Sequence, residues 1–281
     1  MSELSDGSGT FYDELLADAM AIPDLSSDKS LAIDNILAGR TYYRKSTLPN
    51  PLSDLSFYLT VLDSGTLGFS YHNDSPSQDE SVRELVNINA LEALDTHGNL
   101  DLPLRVSVLD AVYGAVNKRL DRTPKRIVSL DGSYEEKADF RSRLITGQLE
   151  KGSRVLLVGL VTQFVRDMLA RDMRVSVSDM SPELEGIEVY GVPVINSGNA
   201  WTLDRLEVCD AAVVTGASIA TNTIDSIFET AAASNTKLHF YLETGSNFAP
   251  ELIRRGAESV VAEKFPFYDL PGEARFEVYT V

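Results

Sequence analysis

Residues Ser153–Met180 read SRVLLVGLVTQFVRDMLARDMRVSVSDM, and this stretch decides the fold. Val155-Leu-Leu-Val-Gly159 is an unbroken apolar run, the mark of a strand buried on both faces. Phe164 to Arg171 is amphipathic at helical spacing, and Val175-Ser-Val-Ser-Asp179 supplies a second strand, so the segment reads as a βαβ unit. The same rhythm continues through strands at Pro193–Asn196, Ala211–Gly216, Leu238–Leu242, Ser259–Ala262 and Arg275–Val281, with helices at Ile224–Ala233 and Ala249–Arg255. Alternation at this spacing predicts a Rossmann-like, doubly wound, mostly parallel sheet with right-handed crossovers.

Upstream the character differs. Phe11–Met20 and Ser30–Leu37 carry helical spacing, separated by Ile22-Pro23-Asp24, which should break a helix. Arg40–Arg44, Ser56–Leu62 and Gly65–Tyr71 are rich in β-branched and aromatic residues around an Asp63-Ser-Gly turn, the pattern of a small antiparallel meander. Residues 73–80 are loop by composition, and helices are expected at Val82–Leu94 and Ser107–Leu120. The expectation is an α/β protein of two domains: a small α+β domain over 1–133, and the doubly wound domain over 134–281, entered through a helix at Tyr134–Leu149. At this length each domain should bury its own core.

Asp and Glu number 42 against 25 Lys and Arg, a formal charge of −17. Such a surface repels nucleic-acid backbones and anionic lipid heads, and no basic run exceeds a pair such as Lys125-Arg126, so neither nucleic acid nor membrane is an expected partner. The acidity would also suit a salt-rich cytoplasm. Cys209 is the one cysteine, which excludes an intrachain disulfide and thiolate-rich metal sites. The polar start of the chain has no basic and apolar leader pattern, and no apolar run is long enough for a membrane span, so a cytoplasmic protein is expected.

In a doubly wound sheet ligands bind beyond the carboxyl ends of the strands. The first end carries Gly159 alone of the three glycines a dinucleotide turn needs, so NAD or FAD is disfavoured. Asp179 stands 20 residues after Gly159, where an acid can hold ribose hydroxyls of an adenosine-type ligand such as S-adenosylmethionine; it equally suits a cap on the turn at Ser181-Pro182. The second end, Thr215-Gly216-Ala-Ser218-Ile-Ala-Thr-Asn222-Thr223, offers a close-approach glycine and several hydroxyl and amide groups, with Thr221 or Asn222 as a helix cap. The third, Glu243-Thr-Gly-Ser-Asn247, adds a carboxylate. Of three histidines, His239 falls in a buried strand and His97 in a turn. His72 closes a strand, beside Asn73 and Asp74, and is the one candidate metal ligand.

The order of these pieces resembles a bacterial and archaeal family described as putative heavy-metal chelation proteins, largely of unassigned function. The most specific match is Asp210-Ala-Ala-Val-Val-Thr-Gly-Ala-Ser-Ile-Ala-Thr-Asn-Thr-Ile-Asp225; others are Gly68-Phe-Ser-Tyr71, Ser107-Val-Leu-Asp-Ala111, Val155–Gly159 and Pro250-Glu-Leu with Gly256. The resemblance implies an enolase N-terminal-like domain joined to a Rossmann-like domain, with a site in the cleft between them. The chain departs from the family pattern at Thr221-Asn222-Thr223, Glu243-Thr-Gly-Ser246 and Gly114, positions expected to face that cleft.

Residues and resemblance together lead to a small-ligand-binding protein whose cleft is lined by Tyr71, Gly159, Asp179, Thr215, Gly216, Ser218, Asn222 and Glu243, with His72 toward a divalent or heavy metal ion or a metal-chelating metabolite. The alternative is an enzyme, a transferase or lyase of small-molecule biosynthesis, holding S-adenosylmethionine or a similar cofactor. A third reading, an interaction module without chemistry, predicts a protein partner or a homo-oligomer.

Overall fold

The structure is a computed structural model that describes residues 10–44, 52–72, 81–97, 100–196 and 198–281; the polar start of the chain, the loop at 73–80 with Asn73 and Asp74, and part of the turn after His97 lie outside them. Helix α1 (Phe11–Met20) opens with a capping box in which Thr10 and Asp13 satisfy each other's backbone N–H groups. Strands β1 (Ile33–Arg44), β2 (Leu52–Leu62) and β3 (Leu67–His72) form the expected antiparallel meander in the order β1-β2-β3. Helices α2 (Ser81–Glu84), α3 (Ala90–Thr96) and α4 (Leu102–Arg119) follow.

Two expectations in this unit are corrected. Ser30–Leu37 is not a helix: Asp28 accepts a bond from Ser30 N at 2.9 Å and caps a single 3-10 turn over Lys29–Leu31, after which the chain enters β1. The strand pairs with β2 from Ile33 opposite Leu62 to Arg44 opposite Leu52, and that long-range ladder overrides the local helical spacing. The helix expected over Val82–Leu94 is interrupted, because Asn87 adopts φ +68° and Asn89 caps a new helix by accepting from Leu91 N at 2.9 Å.

The second sheet has nine strands. It is built from β4 (Arg126–Asp131), α5 (Tyr134–Thr146), β5 (Arg154–Val158), α6 (Thr162–Leu169), β6 (Arg174–Ser178), β7 (Glu188–Val189), β8 (Val192–Ile195), α7 (Gly198–Leu206), β9 (Ala211–Thr215), α8 (Ala217–Ala220), α9 (Ile224–Ser234), β10 (Lys237–Leu242), α10 (Ala249–Arg254), β11 (Ser259–Lys264) and β12 (Glu273–Thr280). Their order is β4-β12-β11-β10-β9-β5-β6-β8-β7, parallel from β11 to β8 and antiparallel outside that range. The parallel strands lie in a doubly wound order, and the direction of winding reverses between β5 and β9, which opens a crevice at their carboxyl ends. The edge strand β4 lies within 1–133, so the segment assigned to the first domain also contributes to the second sheet.

Side chains alternate between the faces of this sheet. Leu156, Val214, Phe240 and Val260 point to one side and share a continuous apolar cluster with Phe11, Tyr58, Leu109 and Tyr113 of the first unit. Leu157, Val213, Tyr241 and Val261 point to the other, where Ile145, Phe164 and Met168 of α5 and α6 cover them alongside Leu59 and Phe69 of the meander. The expected pair of separate cores is therefore replaced by two shared ones, which hold the end of β3 against the crevice.

Polar contacts fasten the same junction. A Cβ on Gly68 would stand 2.1 Å from the carbonyl oxygen of Ser107, so β3 lies directly on the backbone of α4. Asp110 of α4 is fully buried; its carboxylate accepts from Phe69 N at 2.9 Å and from Asn247 N at 2.7 Å, and Lys264 donates to Asn247 Oδ1 at 2.9 Å. No helix among the described residues is long and apolar enough to cross a membrane.

Candidate functional site

The crevice is a cavity of about 800 Å³, walled by the carboxyl ends of β5, β6, β9 and β10 and closed on one side by the end of β3. Tyr71, His72, Gly159, Asp179, Thr215, Gly216, Ser218 and Glu243 all border it. Its glycines are required by strand proximity. Gly159 has φ +86°, and a Cβ there would lie 2.1 Å from Thr215 Oγ1; a Cβ on Gly216 would lie 2.2 Å from the carbonyl oxygen of Thr244.

Asp179 is half-buried, and both its oxygens accept backbone N–H groups, Oδ2 from Leu160 at 2.7 Å and Oδ1 from Ser181 at 2.9 Å. It thus ties the loop after β5 to the loop after β6 and holds the turn at Ser181-Pro182, while each oxygen keeps further acceptor capacity toward the cavity. Tyr71 N donates to Thr244 Oγ1 at 2.9 Å, a direct link between the first sheet and the β10 end. The His72 ring is buried and stacked on Tyr58, with centroids 4.8 Å apart.

The Thr215–Thr223 segment is more structural than its composition suggests. Ser218 Oγ donates to the carbonyl of Thr215 at 3.0 Å, and Thr221 Oγ1 donates to that of Ala217 at 3.0 Å. Asn222 is exposed and does not border the cavity; it takes φ +55° in the turn between α8 and α9, a conformation asparagine tolerates. Neither Thr221 nor Asn222 caps α9, whose N-cap is Thr223. The acids flanking this motif are also structural. Asp210 accepts from Arg154 N at 2.8 Å and pairs with its guanidinium, and both Asp225 oxygens lie 3.0 Å from Phe11 N at the start of α1. Gly114, another expected cleft position, packs instead on Thr66 and Asn247.

Part of the cavity floor escaped the sequence reading. Arg141 of α5 is buried, with its guanidinium 3.5 Å above the Tyr268 ring. Its Nη1 donates to Tyr241 Oη at 3.0 Å and to Glu243 Oε1 at 3.2 Å. Tyr241 Oη also lies 2.5 Å from Glu243 Oε1 and in short contact with Glu263 Oε2, while Glu263 Oε1 accepts from Tyr268 N. Burial raises the pKa of Glu243, with the Arg141 charge pulling the other way. Burial, with the charge of Glu243, likewise pushes Glu263 up. Burial opposes the charge on Arg141, but the surrounding phenols and carboxylates outweigh it and hold the guanidinium protonated. The sequence did carry a signal: Glu263 directly extends the apolar run Val260-Val-Ala262, and Lys137 and Arg141 sit on the inward face of α5 at i and i+4.

Metal donors are sparse. Among the described residues no three His, Cys, Asp or Glu side chains gather as a metal cage, and Asn73 and Asp74 beside His72 lie outside those residues. His97 bonds Thr96 Oγ1 through Nδ1 at 2.9 Å on the surface, and His239 Nδ1 lies 2.8 Å from Ser259 Oγ inside the sheet. Burial pushes the Cys209 thiol up, which disfavours the nucleophilic thiolate.

Residues 144–239 match the family model DUF364, described as "Putative heavy-metal chelation", in line with the resemblance read from the sequence motifs. The match begins after Arg141 and stops before Glu243. A crystal structure of a DUF364 protein of unknown function from Desulfitobacterium hafniense is similar with a TM-score of 0.58 at 14% identity, covering 95% of this chain and 96% of that one. A second, from Pyrococcus horikoshii and also of unknown function, gives 0.58 and 14%, covering 96% and 99%. At that identity the likeness is one of fold. No curated protein matches the chain.

Proposed function

We propose that the protein binds a small molecule in this cavity, between a Rossmann-like domain and an enolase N-terminal-like unit. The observation that carries the reading is the convergence of eight sequence-nominated residues on one cavity at the point where the sheet's winding reverses. The donor set shapes the ligand. Among the described residues no three His, Cys, Asp or Glu side chains gather at the cavity, which gives no support there to a resident metal ion held by protein groups alone. The family description then favours a chelating metabolite that brings its own metal, with His72 at the cavity wall as the nearby imidazole. The lone cysteine and the acidic surface suit a cytosolic binding protein.

Asp179 supports a second reading, an enzyme of the transferase or lyase type with an adenosine cofactor, because the carboxylate borders the cavity at the end of β6 and retains acceptor capacity. Native mass spectrometry and thermal-shift titration with Fe, Ni, Cu or Zn ions, each alone and with citrate as a model chelator, and with S-adenosylmethionine, separate the two readings. The metal–chelate arm should depend on His72 and the adenosine arm on Asp179. Ala217→Trp, at an exposed position on the cavity wall, should fold normally and lose binding in either case. No bound molecule with any probe, or equal binding by Ala217→Trp, overturns the proposal.

A further inference from the structure

The hydrogen-bond count at Tyr241 goes beyond ligand binding. A phenol has one donor and two acceptor positions. Tyr241 Oη meets three groups: Nη1 of Arg141 at 3.0 Å, Oε1 of Glu243 at 2.5 Å and Oε2 of Glu263. Arg141 can only donate, so it fills one acceptor position. The phenol proton can satisfy one carboxylate, and the other contact is a hydrogen bond only if that carboxyl carries a proton itself. One proton is therefore held between two glutamates, beyond the phenol's own.

We infer that Glu263, Tyr241 and Glu243 form a proton relay that ends in the cavity, with Glu243 as the group that gives a proton to, or takes one from, whatever the cavity binds. In the resting arrangement Glu263 donates through Oε2 to Tyr241 Oη, and Tyr241 donates to Glu243 Oε1, which is ionised and paired with Arg141. Moving each proton one place along leaves Glu263 as carboxylate, Tyr241 again a neutral phenol and Glu243 as carboxylic acid, with no change in total charge. The return shift restores the first state.

The surroundings support that direction. The Arg141 charge reaches both glutamates, but its Nη1 lies 3.2 Å from Glu243 Oε1 and bonds it directly, which favours ionised Glu243. Glu263 is closed to solvent, whereas the Glu243 side chain is 14% exposed, so the cavity is where the relay meets exchangeable protons. Burial of Glu263 favours its neutral form. The other titratable groups around the relay are Tyr134 on α5 and Tyr268 and Asp269 after β11; Asp269 adds a negative charge facing Glu243, which raises its proton affinity. The inference rests on the cavity being a ligand site, and implies a ligand with an ionisable or carbon-acid group at Glu243.

Infrared spectroscopy of the intact protein tests the relay without any ligand. In an Asp110→Asn background, which removes the other carboxyl that burial raises to about 7, a protonated-carboxyl band is expected at neutral pH that Glu263→Gln removes. Its hydrogen–deuterium exchange should slow by about tenfold or more in Tyr241→Phe, which lacks the phenol oxygen. Should Tyr241→Phe not fold, carbon-detected NMR titration of the unaltered protein decides: the two glutamates should share two coupled steps, with Glu263 neutral at neutral pH. Absence of the band, its survival in Glu263→Gln, unslowed exchange in Tyr241→Phe, or two independent titrations at ordinary glutamate pH each overturn the relay. Because no ligand takes part, that failure would leave the binding reading standing, and a failure to bind would leave the relay result unchanged.

Discussion

Replacing Gly68 by alanine tests how the first unit is set against the cavity. The new Cβ would meet the Ser107 carbonyl oxygen at 2.1 Å, Ala111 N at 2.2 Å and Ala111 Cα at 2.9 Å, all backbone atoms of α4 with no rotamer to escape into. Ordinary contact begins near 3.4 Å, so β3 and α4 must separate by more than an ångström. A shift of that size breaks the 2.9 Å bond from Phe69 N to Asp110 and leaves a buried carboxylate short of a donor. Overpacking contributes about 1–3 kcal/mol and the lost hydrogen bond to the buried carboxyl about 1–3 kcal/mol, for a total of roughly 2–6 kcal/mol.

Gly65 provides the control, since it has φ +72° with nothing within 4 Å of a Cβ, so Gly65→Ala carries only the left-handed backbone penalty of about 1–2 kcal/mol. Urea unfolding of the three proteins, compared at unchanged m-value, measures the difference. Gly68→Ala should be the less stable variant and should also weaken ligand binding, because Tyr71 and His72 leave the cavity wall with β3. A loss below about 1 kcal/mol, or one smaller than that of Gly65→Ala, would refute the close docking of β3 on α4.

Two buried groups tilt stability with pH in opposite directions. Burial lowers His239 to about 4 from 6.5, so the unfolded chain binds the extra proton first and stability falls as pH drops from 6.5 toward 4. Burial raises Asp110 to about 7 from 3.8, so stability falls as pH rises from about 4 to about 7. Between pH 4 and 6.5 the two oppose each other at up to about 1.4 kcal/mol per unit, so relative to the unaltered protein urea melts should show a stability-versus-pH slope more negative in His239→Gln and more positive in Asp110→Asn; a change of slope of the opposite sign in either variant would contradict that assignment. Asp225→Ala frees Phe11 N and should cost about 1–2 kcal/mol while speeding proteolysis in α1, with Asp225→Asn milder; equal loss in the two variants would argue against the tether. Asp179→Ala orphans Leu160 N and Ser181 N and should lose about 1–3 kcal/mol in thermal or urea melts even without ligand, whereas a purely ligand-binding carboxylate would leave the free protein unchanged.

The parts of the fold legible in the sequence were those whose environment is uniform along the segment. Buried parallel strands such as β5 and β9 read as continuous apolar runs because both faces are covered, and their carboxyl ends pointed to the cavity because the winding order places them there. Strands whose identity depends on a distant partner were harder. The first half of β1 has helical spacing and becomes strand through pairing with β2, and β4, an exposed edge with a half-buried alternation, is recruited by β12. Asn222 misled because one polar residue type serves both ligand contacts and left-handed turns. The floor was hidden for another reason. Glu243 was nominated at its strand end, but Arg141 lies about a hundred residues before it and Glu263 twenty after it, and acid-rich composition makes any one carboxylate look like a solvated surface group. What separates Glu263 from most of the 42 acids is that it sits within an apolar strand where no water can satisfy it. A carboxylate retained there must be neutral, paired or in exchange with a partner, and the Tyr241 contacts meet that demand by sharing a proton with the cavity. A charged residue that interrupts the apolar pattern of a buried strand is thus the sequence feature that points most directly to the chemistry of this site.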